Sequence, residues 1–446
     1  MTGFSRREVV KGLGLATGAA LLPGLGSLSA RAAETVKLVN VEHDTRPLDN
    51  AAYKAVYDAF RTKHPGIEIE FQLIPWEQAR PKLLTMAQGD GLPDMGRVAW
   101  VADLAAANAI VPLDGKIEPS LLDTVDPLLV QQAYGVGNDG ARHLYALPWF
   151  VGTQSILVNK TLLDKAGITL KDSWTTDEFA AAAKALTVPG KQWGVTLDGA
   201  GIGDPVQIFL SAIYGYGGKW VAGDPQSVTP EPIVFDSPET AAGIEWYTNL
   251  YLDGSAVPSA PTDTYKERDA NFQSGKAAMA WQGPWSLLET RENFKQGGWE
   301  LASMPLPTGP GGSVPPSLGG GMAGLFRGVL KDGHEAEALE WIKFLSSEEG
   351  QRLYCKTNGM IPASRTLQAD PFWADDPLYK GYIGTMKNMR QMLPIWATGL
   401  EGLLDDVVPP LMQGVFLRQL TPADAAKEIQ AQVIRGLQQN GVRVPS

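Results

Sequence analysis

Trp76, Trp100, Trp149, Trp285 and Trp396 each fall near a strand end or a turn, with polar residues close by in the chain. Those polar residues are Glu42, Asp44, Asp103, Gln154, Asp204, Gln207, Gln282 and Arg365. Gly319 and Gly320 add backbone that a ligand can approach closely. Flat aromatic faces suit the apolar C–H patches of a pyranose, and carboxylate, amide and guanidinium groups suit its hydroxyls. Together the residues could hold a hydroxylated ring, although any one tryptophan could instead be core.

Other chemistries find less support. The four histidines, His43, His64, His143 and His334, stand far apart, so no metal site is expected. Cys355 is the single cysteine, which excludes an intramolecular disulfide; its place in an amphipathic helix reads as a buried, inert thiol. Gly135 to Gly140 satisfies G-x-G-x-x-G, but a strand-like run follows it and no helix. Asn138-Asp139-Gly140 therefore reads as a hairpin turn and not a dinucleotide loop. Neither a G-x-S-x-G elbow nor a G-x-x-x-x-G-K-[ST] loop occurs, and no cofactor is expected. Carboxylates are numerous enough to leave an exported glycosidase as a remote alternative. The expectation is a binding protein and not an enzyme.

At 446 residues the chain is too long for one compact core and reads as two lobes. Its formal charge of −11 makes nucleic acid and anionic lipid poor partners. Thirteen Trp and twelve Tyr favour a flat-faced ligand or a large core. Residues 1–33 read as an address. Ser5-Arg6-Arg7-Glu8-Val9-Val10-Lys11 matches the twin-arginine export motif, a glycine-rich apolar stretch follows, and Ala30-Arg31-Ala32 supplies a cleavage site near Ala32. These features predict a soluble protein exported to a periplasm.

Positioning the candidate residues requires an α/β chain. Thr35 to Val41 alternates as a strand, and Tyr53, Val56, Tyr57 and Phe60 mark one helix face. Ile67 to Leu73 alternates again, so the start is a βαβ unit with parallel strands. A strand-like run from Ala141 is expected to stop at Pro148, and Gln154 to Val158 to begin a new lobe. Thr175 to Glu178 is a capping box. Ser237-Pro238 and Thr421-Pro422 open further helices. Ser317 to Met322 is glycine-rich and could absorb a backbone rotation.

Ser274 to Trp285 contains Gly-Lys-Ala-Ala-Met and Gly-Pro-Trp: an apolar strand, Ala277 to Trp281, stopped by Gln282-Gly283-Pro284. With the Gly-Asp-x-x-Pro-Asp turn at 89–94, Tyr145 to Trp149, and Gly359 to Arg365, it resembles the extracellular sugar-binding proteins of ABC importers, the maltose/trehalose-type branch. The resemblance spans about residues 34–440. It implies a two-lobed periplasmic binding protein fold, each lobe a mostly parallel sheet flanked by helices, with three hinge crossings. The expected N-terminal lobe is 34–148 with 322–368, and the C-terminal lobe 149–321 with 369–446. Trp100, Asp204, Trp285, Gly320 and Trp396 carry over most directly by motif position. Val206 and Asn108-Ala109 depart from relatives that take maltodextrin or trehalose, which leaves the sugar open. The implied function is capture of a disaccharide or short oligosaccharide between the lobes by a monomer, for delivery to ABC permease subunits in the membrane. The alternative is a non-sugar solute: a glycerophosphodiester, for which Arg46, Arg97 and Arg365 speak, a polyamine, or a peptide.

Overall fold

Apolar side chains at alternate positions need a sheet with a buried face, and the first hundred residues supply two such strands around an amphipathic helix. The structure is a computed structural model that describes residues 35–43, 45–313, 319–391 and 393–445. The leader motif and Asp44 lie outside the described residues. β1 (Val36–Glu42) and β2 (Ile67–Leu73) pair in parallel across the helix Pro47–Lys63, whose Tyr53, Val56 and Phe60 are buried. β3 (Met95–Arg97) lies on the other side of β1. The hairpin β4 (Tyr134–Val136) and β5 (Arg142–Leu144) is antiparallel about the Asn138-Asp139-Gly140 turn.

β6 (Ala146–Gly152) runs straight through Pro148, which does not stop it. Opposite Pro148, the partner strand shifts register between Gly321 and Met322, a bulge where the missing N–H is tolerated. β7 (Ser155–Asn159), β8 (Trp193–Thr196), β9 (Ala277–Gln282) and β10 (Leu301–Met304) form a second sheet in the order β10-β7-β9-β8. A small ribbon, β11 (Thr308–Gly309) with β12 (Gly312–Ser313), follows. β13 (Gly319–Leu325) and β14 (Ile361–Pro362) then return to the first sheet, giving β14-β6-β13-β3-β1-β2.

Both sheets are mixed and not mostly parallel. In the larger, β13 is antiparallel to β3 and β6, and β14 to β6; in the smaller, only β8 and β9 run parallel. Strands that return after crossing between lobes enter from the opposite end, so they reverse direction. The chain passes to the smaller sheet between Gly152 and Ser155, returns to the larger at β13, and leaves it again after β14, where the helix Pro377–Met386 packs on β10.

Two apolar clusters follow from this layout. One fills the larger sheet and its helices, with Trp149, Trp341, Tyr354 and Trp373 fully buried. The other, with Trp220, Tyr247, Trp281 and Trp396, lies under the smaller sheet. Neighbours on β7 part between them: Leu157 joins the first, Ile156 and Val158 the second. Cys355 is buried within the helix Glu348–Asn358.

Gly320 and Gly321 on β13 are packing requirements. A Cβ at Gly321 would lie 1.8 Å from Trp149 Nε1 and 2.3 Å from the Phe150 ring. Both rings are buried and cannot yield. Gly321→Ala is expected to cost about 2 kcal/mol or more, the scale of an overpacked core, read as a lower urea midpoint at unchanged slope.

Candidate functional site

The end of β3 delivers the chain into a bend where Trp100 precedes the helix Val101–Ala106, and Pro75 turns β2 into the helix Trp76–Ala87. The two indoles meet with centroids 4.7 Å apart at 34°. His43, just past β1, adds its ring 5.6 Å from Trp100, and its Nε2 lies 3.1 Å from the Arg97 carbonyl. The Arg97 guanidinium lies 5.2 Å from the Trp76 ring and 5.0 Å from that of Phe150, two cation–π contacts. This corner forms one wall of a cavity of about 620 Å³. Such a volume suits a small solute.

The opposite wall comes from the smaller sheet. Gly203 (φ 74°) starts the helix Asp204–Gly215 and touches Trp76 from across the cavity; a Cβ there would come within 2.9 Å of the indole nitrogen. Asp204 and Asp269 are held by Arg268, which has no solvent exposure. Its Nη1 donates to Asp198 at 2.9 Å, Nη2 to Asp204 at 3.1 Å and to Asp269 at 2.9 Å. Burial alone would weaken the guanidinium's hold on its proton, but the three carboxylates outweigh it and raise its pKa. Burial, with its neighbouring carboxylates, pushes Asp198 up to about 7, against the help of Arg268. Lys266 reaches across to Glu77 at 2.9 Å, and the Arg46 guanidinium donates to the Trp285 carbonyl. The walls are thus in contact at several points around the rim.

Trp76, Trp100, Asp103, Gln154, Asp204, Gln207, Trp285, Gly319 and Gly320 all line this cavity. Gln154 sits where the chain changes sheets, 1% exposed, and neither amide atom has a hydrogen-bond partner among the described residues. An orphaned amide on a cavity wall is a group awaiting a partner.

Five candidates are placed elsewhere. Glu42 faces the core, accepting from Asn40 and Tyr53 at 2.9 Å each. Trp149 is packed between Tyr53 and Tyr354. Gln282 is fully buried and its Oε1 accepts from Thr290. Trp396 lies in the second apolar cluster, while its neighbours Pro394, Ile395 and Ala397 reach the cavity. Arg365 is exposed and donates to the carbonyls of Thr124 and Asp123. In the strands the cause is parity, because adjacent residues face opposite ways. His43 and Phe150 hold the wall positions that Glu42 and Trp149 were expected to hold.

Residues 44–352 match the family model of bacterial extracellular solute-binding proteins, well over half of the chain. The chain belongs to that family. A binding protein of Brucella abortus is 21% identical to this solute-binding protein over 423 residues, 93% of this chain and 96% of its own length. The maltotriose-binding protein of Pyrococcus abyssi is 24% identical over 384 residues, 83% of this chain and 77% of its own. Among solved structures, the GacH receptor of Streptomyces glaucescens, described unliganded and in complex with acarbose and an acarbose homolog, is similar with a TM-score of 0.76 at 24% identity. The match covers 91% of this chain and 99% of that one, and shows the two-lobed fold of periplasmic binding proteins.

Glu401 and Asp405 also line this solute-binding protein's cavity, one helical turn apart on Leu400–Phe416. Their i, i+4 spacing was the available signal, but a helix alone does not say which face meets a cleft.

The Arg268 cluster gives a pH-dependent expectation. Folded Asp198 keeps a proton that the unfolded chain releases above its ordinary 3.8, so its contribution to stability declines as pH rises from there through about 7. Arg268→Met would leave three carboxylates uncompensated. The expected loss is about 3–5 kcal/mol, larger at pH 8 than at pH 5, measured by urea unfolding at both.

Proposed function

We propose that this chain is the solute-receiving component of an ABC sugar importer, and not an enzyme. It captures a disaccharide or short oligosaccharide between its lobes and hands it to membrane permease subunits. The observation that carries the reading is the cavity wall itself. Trp76, Trp100 and Trp285 supply apolar faces, and Asp103, Asp204, Gln207 and the orphaned Gln154 amide supply polar groups that suit hydroxyls. Gly319 and Gly320 offer backbone close to the solute. The maltotriose-binding relative supports a sugar as the solute.

Arg46 and Lys266 are taken up by carboxylates, which argues against a phosphodiester. Arg46 is bonded to Asp49 and the Trp285 carbonyl, Lys266 to Glu77, and Arg97 lies against two rings. We take the lobes to be 35–152 with 319–362, and 155–313 with the segment from Pro377 onward, working as a monomer. The Arg6-Arg7 leader supports export by the twin-arginine route and a periplasmic place of work.

Calorimetric titration with maltose, maltotriose, trehalose, sucrose and glycerophosphodiesters tests this. One neutral sugar is expected to bind, with an affinity nearly unchanged between low salt and about 0.5 M. Binding confined to a charged solute and lost in salt would overturn it. Trp285→Ala is expected to weaken the sugar by about 2 kcal/mol while the melting temperature holds; the reverse pattern would make Trp285 a core residue.

A further inference from the structure

Three carboxylates meet beside the cavity from opposite sides of the cleft. Asp103 comes from the helix Val101–Ala106 of the lobe with the larger sheet, Glu401 and Asp405 from the helix Leu400–Phe416 of the lobe with the smaller sheet. The cation that acts on all three is Arg80, from the helix Trp76–Ala87. Its Nε donates to Asp103 Oδ2 at 2.7 Å, a bond within its own lobe. Its guanidinium, however, lies on the opposite lobe, against the bare backbone of Gly402. A Cβ on Gly402 would fall 1.8 Å from Nη2, 1.9 Å from Cζ and 2.3 Å from Nη1. No side chain fits there while the arginine stays in place.

We propose that Arg80 is a positioning residue that seats one lobe on the other through Gly402, and that this closure draws a proton from solvent onto the Glu401 carboxylate, so that solute capture strengthens in acid. The proposal rests on reading the cavity as the solute site. It follows from where the charges stand. With the lobes apart, Glu401 would face water and lie away from Asp103, as an ordinary carboxylate. With the lobes together it is half-buried and gains a like charge in Asp103, and one guanidinium must serve three anions.

Burial, then Asp405 and Asp103, push Glu401 up to about 8, against the attraction of Arg80. Asp405 rises to about 6, chiefly by burial; the Gly203 N–H that donates to it at 2.8 Å and Arg80 hold it down, while Asp406 and Asp103 push it up. The charged groups facing Glu401 are therefore Asp103 and Arg80 across the cleft and Asp405 on its own helix. Asp204, at the start of the neighbouring helix, is engaged by Arg268. The sign is fixed by linkage. The closed form holds a proton that the open form releases above its ordinary 4.5, so closure weakens as pH rises from about 4.5 through about 8.

The test uses the full mature chain and maltotriose, or whichever of the four sugars above binds, titrated from pH 5.5 to 8.5 in two buffers of different ionisation heat. Wild type is expected to bind more than about tenfold more tightly at pH 5.5 than at 8.5 and to take up protons on binding near pH 7. Glu401→Gln should flatten that dependence. Gly402→Ala should weaken binding about tenfold with no fall in melting temperature, because alanine is the better helix former. Arg80→Lys should recover part of the affinity that Arg80→Met loses, since it keeps the charge without the flat guanidinium. Affinity independent of pH without proton uptake, or wild-type binding by Gly402→Ala, would overturn the proposal. If none of the sugars binds, the sugar reading fails separately, and scattering from the ligand-free chain decides this one. A radius of gyration that grows between pH 5.5 and 8.5 in wild type but not in Gly402→Ala upholds it; a radius indifferent to pH overturns it.

Discussion

A guanidinium with no access to water, Arg268, sets the terms for one whole wall of the cavity. It gathers Asp198 from the end of β8, Asp204 from the start of a helix and Asp269 from its own helix. Three anions around one cation are stable in a dry interior only if protons or further donors share the load. The raised Asp198 is the result, and it is the member farthest from the cavity, outside the lining. Asp204 and Asp269 are left as the members that face the cavity, oriented by bonds they cannot easily leave.

The opposite wall uses the other available device. Where the lobe of the smaller sheet orients carboxylates with a buried cation, the lobe of the larger sheet orients indoles with each other, with His43 and with Arg97. A polar wall facing an aromatic one is what a hydroxylated ring, polar at its edge and apolar on its face, would meet. Neither wall is complete without contact from the other, as Gly203 under Trp76 shows. The apolar clusters end at these walls, so the space between them is left to groups that a core would reject.

The glycines at 203, 321 and 402 have one physical role in three places. Each lets a ring or a guanidinium approach backbone more closely than any side chain permits. At Gly203 and Gly402 such a contact runs between the lobes; at Gly321 it runs within one sheet. On β13 the segment read from the chain as glycine-rich and able to absorb a rotation is a strand, with Gly320 and Gly321 in close packing.

What the residues alone settled was local. Alternation placed β1 and β2, an apolar run placed β9, caps placed the helix starts at Thr175, Ser237 and Thr421, and motif order indicated the family and its two lobes. Trp76, Trp100 and Trp285 were readable as cavity residues because each stands where an element ends. The tertiary structure alone decided the rest. A strand shows its two faces at one-residue intervals, so Glu42 and Trp149 differ from His43 and Phe150 only by which sheet face meets the core. Trp396 and Ala397 differ by which side of a loop the second apolar cluster covers, and Arg365 is held by the Thr124 and Asp123 carbonyls that lie beside it. Arg80 stands hundreds of residues from Glu401 and Asp405, and the i, i+4 spacing of those two does not say which face of their helix meets a cleft. Their meeting depends on the contact of one lobe with the other, a long-range property that no local pattern encodes.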